Sequence, residues 1–118
     1  MSSVQTKQDT DSQTIVESWG SLTWLASKEL TGSDITVGRV VIKQGRSNPR
    51  HRHDTCEEVL YLTRGALDHA LDDQVVHLEV GDTLIVPAGV AHNAESVGDC
   101  DAEMIVVYST GSRDFYKV

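Results

Sequence analysis

The sequence is poor in aromatic and basic residues and has no long apolar run. Aromatic side chains make up 5% of its 118 residues, which argues against an extended surface for stacking nucleic-acid bases. Its 10 Lys and Arg face 18 Asp and Glu, and the net charge of -8 disfavours a nucleic acid or an anionic membrane as a partner. The longest apolar runs, such as residues 104–108, are far shorter than the roughly 20 residues of a membrane-spanning helix. We therefore expect neither a nucleic-acid nor a membrane partner.

Cysteine is also scarce, and the polar N-terminus lacks the apolar core of a secretory signal. Cys56 and Cys100 are then expected to be free thiols in a reducing compartment, which predicts a cytoplasmic protein. The length is enough for one domain but not for two. Residues 1–14 are polar and are predicted to form a flexible N-terminal tail or an arm ordered by a partner. A single domain is expected over residues 15–118.

Short segments with strand-like patterns follow one another along this domain. The predicted strands lie at residues 22–26, 35–43, 58–63, 66–71, 75–78, 83–86 and 102–109. No window shows apolar residues at helical spacing, so little helix is expected. Short strands separated by glycine-containing turns are typical of a β-sandwich or a small β-barrel. The predicted fold class is therefore all-β.

Two histidines in this pattern are candidates for metal binding. His51 and His53 are two residues apart, and on a strand such side chains point the same way at about 6.5 to 7 Å along the chain. Two imidazoles so placed can reach one metal ion, whereas Arg52 between them points to the other face. An isolated pair of this kind is weak evidence, because surface histidine pairs are common.

Other residues at fixed distances strengthen the case. The sequence contains G-x5-H-x-H-x4-E-x6-G over residues 45–65, then fifteen residues, and then G-x5-P-x-G-x2-H over residues 81–92. These segments resemble the two motifs of the cupin family, and the resemblance covers residues 45–96 directly. It implies a jelly-roll barrel or sandwich with one bound divalent transition metal. The ligands that it implies are His51, His53, Glu58 and His92. One departure is Ser96, where the family's second motif usually has asparagine; it affects a local turn rather than the ligands.

The carboxylate ligand raises a question of strand geometry. His53 and Glu58 are five residues apart, and on an uninterrupted strand an odd separation places two side chains on opposite faces. Either residues 54–57 form a turn or a bulge, or the ligand is Glu57. The segment is polar and turn-prone, so we assign Glu58 and keep Glu57 as the alternative.

Three neutral imidazoles and one carboxylate leave a divalent ion with a net charge of +1 and with open positions for substrate or dioxygen. The ligand types do not choose among Mn, Fe, Ni, Co, Cu and Zn. A catalytic acid or base is expected nearby. His69 shares a predicted strand face with Leu67 and Leu71, which makes it the candidate for an inward-facing proton shuttle. The alternative is a hydrogen-bonded wall residue.

The resemblance implies a metal-dependent enzyme, since cupins include dioxygenases, decarboxylases, isomerases and lyases. Within this resemblance, a compact chain with one pair of motifs and an Fe or Mn site favours an oxidoreductase of the dioxygenase type. Leu60, Leu62 and Val86 are predicted to line the interior, which suits a small organic or aromatic substrate. The alternatives are a cupin isomerase, lyase or decarboxylase, and a metal-containing module that binds or senses a small molecule without turnover. A homodimer is expected, with residues 15–25 as the candidate contact.

Overall fold

The computed structural model of the protein describes residues 4–118, in which two antiparallel β-sheets accompany two short helices. The helices are α1 (Lys7–Asp11) and α2 (Lys28–Thr31). The strands are β1 (Ile15–Glu17), β2 (Gly20–Ala26), β3 (Thr36–Ile42), β4 (His51–Arg52), β5 (Glu58–Arg64), β6 (Leu67–Leu71), β7 (Gln74–Leu78), β8 (Thr83–Val86), β9 (His92–Ser96), β10 (Ala102–Tyr108) and β11 (Tyr116–Lys117). Over the described range no helix is long and apolar enough to cross a membrane.

The two sheets pack face to face as a sandwich. One sheet has the strand order β1-β2-β3-β10-β5-β8, and the other has the order β11-β4-β9-β6-β7. Neighbours in this order are distant in sequence: β10, for example, pairs on one side with β3 and on the other with β5. This topology confirms the predicted all-β jelly-roll with little helix.

The core lies between the sheets because the central strands alternate strictly. In β5, Leu60 and Leu62 are 2% and 0% exposed, while Tyr61 between them is 47% exposed. Glu58 has the same parity as the two leucines, so strand geometry directs its carboxylate into the sandwich. Strands β3 and β10 alternate in the same way and complete the core. Its largest fully buried side chains include Ile42, Leu60, Leu62, Leu67 and Met104.

The chain crosses from one sheet to the other at Gly65, between β5 and β6. Its φ of +79° is a left-handed conformation that residues with a side chain rarely adopt. A Cβ at this position would also lie 2.9 Å from the backbone oxygen of Asp101. Glycine is therefore required here both by the backbone conformation and by the close approach of the neighbouring chain.

The N-terminal segment contains an element that the sequence reasoning did not predict. Residues 1–3 lie outside the described range. Helix α1 covers Lys7–Asp11, and its N-cap residue Thr6 forms a capping box with Asp9. The side chain of Thr6 accepts from the Asp9 backbone N–H at 3.1 Å. Asp11 then bonds Arg39 on β3 at 2.6 Å, which holds the helix against the sheet. The division into a flexible tail over residues 1–14 and a domain over residues 15–118 stays a prediction, and α1 is the ordered part of that tail.

Candidate metal centre

Four buried side chains from both sheets meet inside the sandwich. His51 on β4 and His92 at the start of β9 are direct partners across an antiparallel pair, while Glu58 begins β5 in the other sheet. His53 lies just beyond the end of β4. One potential ligand atom from each of the four lies within 4.8 Å of all the others, and the residues are only 2% to 6% exposed. We call His51, His53, Glu58 and His92 the metal-binding group; it is the set implied by the sequence motifs.

A turn at residues 54–57 resolves the question of parity. The Asp114 carboxylate holds this turn: it accepts from the backbone N–H groups of Asp54 and Thr55 at 2.7 and 3.2 Å and from the Thr55 hydroxyl at 2.8 Å. The turn breaks the strand between His53 and Glu58, so both side chains face the interior. Glu57 is exposed and lies outside the group. The structure therefore places Glu58, and not Glu57, with the histidines.

The backbone fixes the orientation of all three imidazoles. Each Nδ1 lies within hydrogen-bond distance of a carbonyl oxygen: His51 with Pro49 at 2.7 Å, His53 with Asp114 at 2.6 Å, and His92 with Val90 at 2.9 Å. A carbonyl can only accept, so each Nδ1 carries the proton and donates it. In a neutral ring, Nε2 is then the atom with a free lone pair. Such backbone contacts are the usual support of histidine ligands.

The environment of His53 tests whether the group fits a metal ion. Nε2 of His53 is buried and makes no hydrogen bond, although it lies 3.3 Å from Oε1 of Glu58. Leaving a buried polar nitrogen without a partner costs roughly 1–3 kcal/mol. A cation held jointly by this nitrogen and the Glu58 carboxylate removes that cost. The three nitrogens and one carboxylate thus fit a divalent transition metal, and the metal-binding group is its site.

Burial also sets the protonation of these groups. Desolvation lowers the pKa of His51 to about 4, so its imidazole is neutral near pH 7. Burial by itself raises the pKa of Glu58, but the close approach of Nε2 of His53 and of His92 to its Oε1, at 3.3 and 3.2 Å, outweighs burial and holds the pKa below its usual range. Neutral imidazole and ionised carboxylate are the forms that bind a metal ion.

Three members of the group, namely His51, Glu58 and His92, line a cavity of about 410 Å³. This volume lies within the range of small-molecule sites, roughly 300–1,000 Å³. Most other wall residues are apolar, including Leu22, Val40, Leu60, Met104 and Val106. The prediction that Leu60 lines the interior is correct. Leu62 and Val86 also face the interior, at 0% and 1% exposure, but they belong to the packed core and do not line this cavity.

His69 also lines the cavity, but it is not a member of the metal-binding group. Its ring is stacked with that of His92, with 5.7 Å between centroids and 13° between planes. The residue is 2% exposed, and burial lowers its pKa to about 4. Its Nδ1 lies 3.2 Å from the Ala70 carbonyl oxygen, which leaves Nε2 as the acceptor of a neutral ring.

A comparison with protein families decides the classification. Residues 38–108, more than half of the chain, match the family model described as "Cupin domain". The chain belongs to the cupin family. The matched range contains both motifs and all four members of the metal-binding group.

Several individual proteins are similar to this cupin over part of their length. Protein SchB of Streptomyces halstedii is 33% identical over 69 residues, which are 58% of this chain and 50% of SchB. The polyketide synthase CurC of Streptomyces cyaneus is 29% identical over 69 residues, 58% of this chain and 45% of CurC. The chain thus spans about half the length of the curated relatives it matches. Oxalate decarboxylase of Bacillus subtilis, whose structural study concerns its Mn(II) centres, shares the fold with a TM-score of 0.83 and 17% identity over 89% of this chain and 29% of its own.

Sequence reasoning missed the C-terminal segment of this cupin, residues 113–115. The ring of Phe115 is stacked on His51 at 4.6 Å between centroids and 23° between planes. Arg113 lines the same cavity, and Asp114 holds both the turn and His53. The one available signal was that the only phenylalanine of the chain stands beside a charged pair after the last long strand. Nothing in that pattern says which side of the sandwich it covers.

Three further residues of metal-ligating type, namely Cys56, Cys100 and His77, lie outside the metal-binding group. Cys56 is buried near the turn, and burial raises the pKa of its thiol. Cys56 and Cys100 are both free, as predicted. His77 is exposed on β7, where it contacts Asp68 at 2.7 Å and Glu79 at 3.1 Å.

Proposed function

We propose that this cupin is a metal-dependent enzyme that acts on a small organic substrate, with oxidoreductase chemistry of the dioxygenase type. The observation that carries the proposal is the position of the metal-binding group, three of whose members lie on the wall of a mainly apolar cavity. A structural metal site is closed by its protein ligands, whereas a catalytic one faces the space in which substrate binds. The relationship to CurC, which is named as a polyketide synthase, supports an organic substrate with several oxygen atoms.

The metal-binding group would hold one divalent ion through three imidazole nitrogens and one carboxylate. When bound, such an ion supplies Lewis acidity or the activation of dioxygen. The protein supplies the rest. The three carbonyl contacts keep the imidazoles aimed at one point, and the apolar walls exclude water from the reacting groups.

His69 is the proposed catalytic base. It is neutral near pH 7, its Nε2 has a free lone pair, and it lines the cavity without joining the metal-binding group. It can therefore accept a proton from a substrate hydroxyl or hold that group by a hydrogen bond. Glu57, the other acid–base candidate, is exposed outside the cavity, so only His69 of the two can serve an enzyme reaction there.

Two matched variants test the metal site. Wild-type protein stripped with EDTA and reloaded with Mn(II) or Fe(II) should contain about one ion per chain by elemental analysis. Glu58→Gln should lose most of this metal because it removes the only negative charge of the group, whereas Glu57→Gln, the same change at the exposed neighbour, should retain it. Metal retained by Glu58→Gln and lost by Glu57→Gln would overturn the site.

Turnover is tested with the loaded protein and a panel of small phenols and enols, with an oxygen electrode and mass spectrometry of the products. Oxygen uptake that falls at least tenfold in His69→Gln, with metal content unchanged, is the expected result. Products formed without oxygen uptake would replace the dioxygenase by an isomerase, lyase or decarboxylase. Tight binding across the panel without any product would indicate a binding or sensing module.

The homodimer and the cytoplasmic location also belong to the proposal. Strand β1 is an edge of its sheet, and Ile15 and Val16 on it are 45% and 76% exposed. An exposed edge with apolar side chains is a surface that another chain can pair with. This supports residues 15–25 as the contact, and sedimentation of wild type against a Val16→Lys variant tests it.

A further inference from the structure

The cavity contains a positive charge that the metal chemistry does not use. Arg113 lines the cavity together with the metal-binding group, yet it belongs to the C-terminal segment and lies outside residues 38–108, the part shared with other cupins. The two residues that follow it have structural tasks: Asp114 holds the turn at residues 54–57, and Phe115 covers His51. The segment therefore places Arg113 at a fixed position beside the centre.

Three aromatic rings contact the Arg113 side chain. Its guanidinium carbon lies 5.0 Å from the ring centre of Trp24, 5.3 Å from that of Tyr108 and 5.0 Å from that of Phe115. Such contacts orient a guanidinium by cation–π attraction but leave its N–H groups available for hydrogen bonds. Over residues 4–118 no carboxylate forms an ion pair with it, and its Nε is buried without a hydrogen-bond partner.

Other arginines of the chain show the contrast. Arg39 contacts Asp11 at 2.6 Å, and Arg52 contacts Asp54 at 2.9 Å. A guanidinium donates five N–H groups and matches the two oxygens of a carboxylate. A buried and unpaired donor costs free energy unless a ligand satisfies it. Arg113 thus has the properties of a binding residue rather than those of a surface arginine.

Two rings connect Arg113 to the metal-binding group. Tyr108 contacts Arg113 and also packs on His53, at 5.0 Å between ring centres. Phe115 contacts Arg113 and stacks on His51 at 4.6 Å. One ring, that of Tyr108, thus lies between the guanidinium and His53, and one ring, that of Phe115, lies between the guanidinium and His51. A small molecule in the cavity can therefore contact both Arg113 and the metal-binding group.

The positive charge of the cavity indicates the charge of the ligand that binds there. A divalent ion with Glu58 leaves +1 in the cavity, and Arg113 adds another +1. Lys117 and Glu17 also contribute to the wall, but both are exposed to water, which screens them. Two uncompensated positive charges behind mainly apolar walls favour an anion over a neutral molecule.

We infer that Arg113 binds the carboxylate of an organic acid whose apolar or aromatic body fills the cavity, and that Arg113 is the residue that selects this substrate class. The inference deepens the proposed function and rests on it for the metal end of the molecule. The guanidinium end depends only on the position of Arg113. Loss of one charge-assisted hydrogen-bond partner in a binding site lowers affinity by about tenfold or more.

The test compares acids with their amides, which have nearly the same shape but no charge. Acetate and acetamide, benzoate and benzamide, and 2-naphthoate and 2-naphthamide are titrated by calorimetry into Mn(II)-loaded protein and into EDTA-treated protein. We expect at least one aromatic acid to bind at least tenfold more tightly than its amide in both forms. Arg113→Met should remove this preference, with metal content unchanged. Arg113→Lys should retain part of it, because lysine keeps the charge but not the planar pair of donors.

Arg64→Met is the matched control, because it removes the same charge from an exposed position at the end of β5 and should leave all six affinities within twofold of wild type. The inference is overturned if every acid binds no better than its amide, or if neither Arg113 variant changes the preference. Should Arg113→Met fail to fold, Arg113→Lys alone decides. Failure of the proposed function looks different: the protein then takes up no metal, while EDTA-treated wild type still prefers the acids through Arg113.

Discussion

Replacing Asp114 by alanine tests how the metal centre is built, because this residue joins the turn at residues 54–57 to the C-terminal segment. Its carboxylate accepts three hydrogen bonds from N–H and O–H donors, namely the N–H groups of Asp54 and Thr55 and the Thr55 hydroxyl, and a longer contact of 3.9 Å from the Cys56 thiol. The freed donors lie at an exposed turn, where water replaces the lost partner in part. Each bond then counts at the low end of its usual range, about 0.5 kcal/mol, and Asp114→Ala should destabilise the fold by roughly 1.5 kcal/mol.

For a domain of this size, such a change lowers Tm by about 6 °C, which a thermal melt of EDTA-treated protein followed by circular dichroism resolves. The same variant should bind Mn(II) about tenfold or more weakly in a calorimetric titration. The reason is that the Asp114 carbonyl orients His53, and the turn sets the direction of Glu58.

Asp54→Ala in the same turn is the control for this experiment. It removes only an exposed ion pair with Arg52, in which both side chains are about two-fifths exposed, and should cost no more than about 0.5 kcal/mol. A Tm of Asp114→Ala within 1 °C of wild type, together with unchanged Mn(II) affinity, would refute the argument that this carboxylate maintains the turn.

Two further outcomes follow from the packing and the surface charges. Leu62→Ala, at a fully buried core position, should lower the free energy of unfolding by about 2–5 kcal/mol in urea titrations, whereas Tyr61→Ala on the exposed face should cost far less. Hydrogen bonds with Asp68 and, to a smaller extent, Glu79 raise the pKa of His77 above its usual value. The stability that protonated His77 contributes is therefore fully present below the unfolded-state pKa, near 6.5, and is lost as pH rises through the higher pKa of the folded state. His77→Gln should therefore shift the urea midpoint at pH 5.5 but not at pH 8.5, and an equal shift at both pH values would contradict the assignment.

The ligands and most long strands could be predicted because their information is local or lies at fixed spacing. Strand β3, predicted at residues 35–43, is Thr36–Ile42, and β10, predicted at residues 102–109, is Ala102–Tyr108. Period-2 alternation also explains why Tyr61, between the buried Leu60 and Leu62, is 47% exposed. The turn before Glu58 could be anticipated only as one of two solutions, because parity showed that the strand must break without showing what holds the break.

The features that escaped prediction depend on contacts between distant parts of the chain. The position of Arg113 is set by Trp24 and Tyr108, which no spacing rule relates to it. Strand β11 is only two residues long and forms by pairing with β4, so its own sequence carries little signal. The helix α1 is different, since the Thr6–Asp9 capping box was a readable sign of a helix start in a segment interpreted as a tail.

The C-terminal segment separates two properties that enzymes often combine in the same residues. All four members of the metal-binding group lie within residues 38–108, whereas the charge and the ring that face the cavity from residues 113 and 115 lie beyond that range. A substitution at residue 113 would thus change which molecules bind without altering a member of the metal-binding group, whereas Asp114 beside it must be kept because it orients His53 and holds the turn at residues 54–57. For protein engineering, position 113 is therefore the place to introduce a new preference.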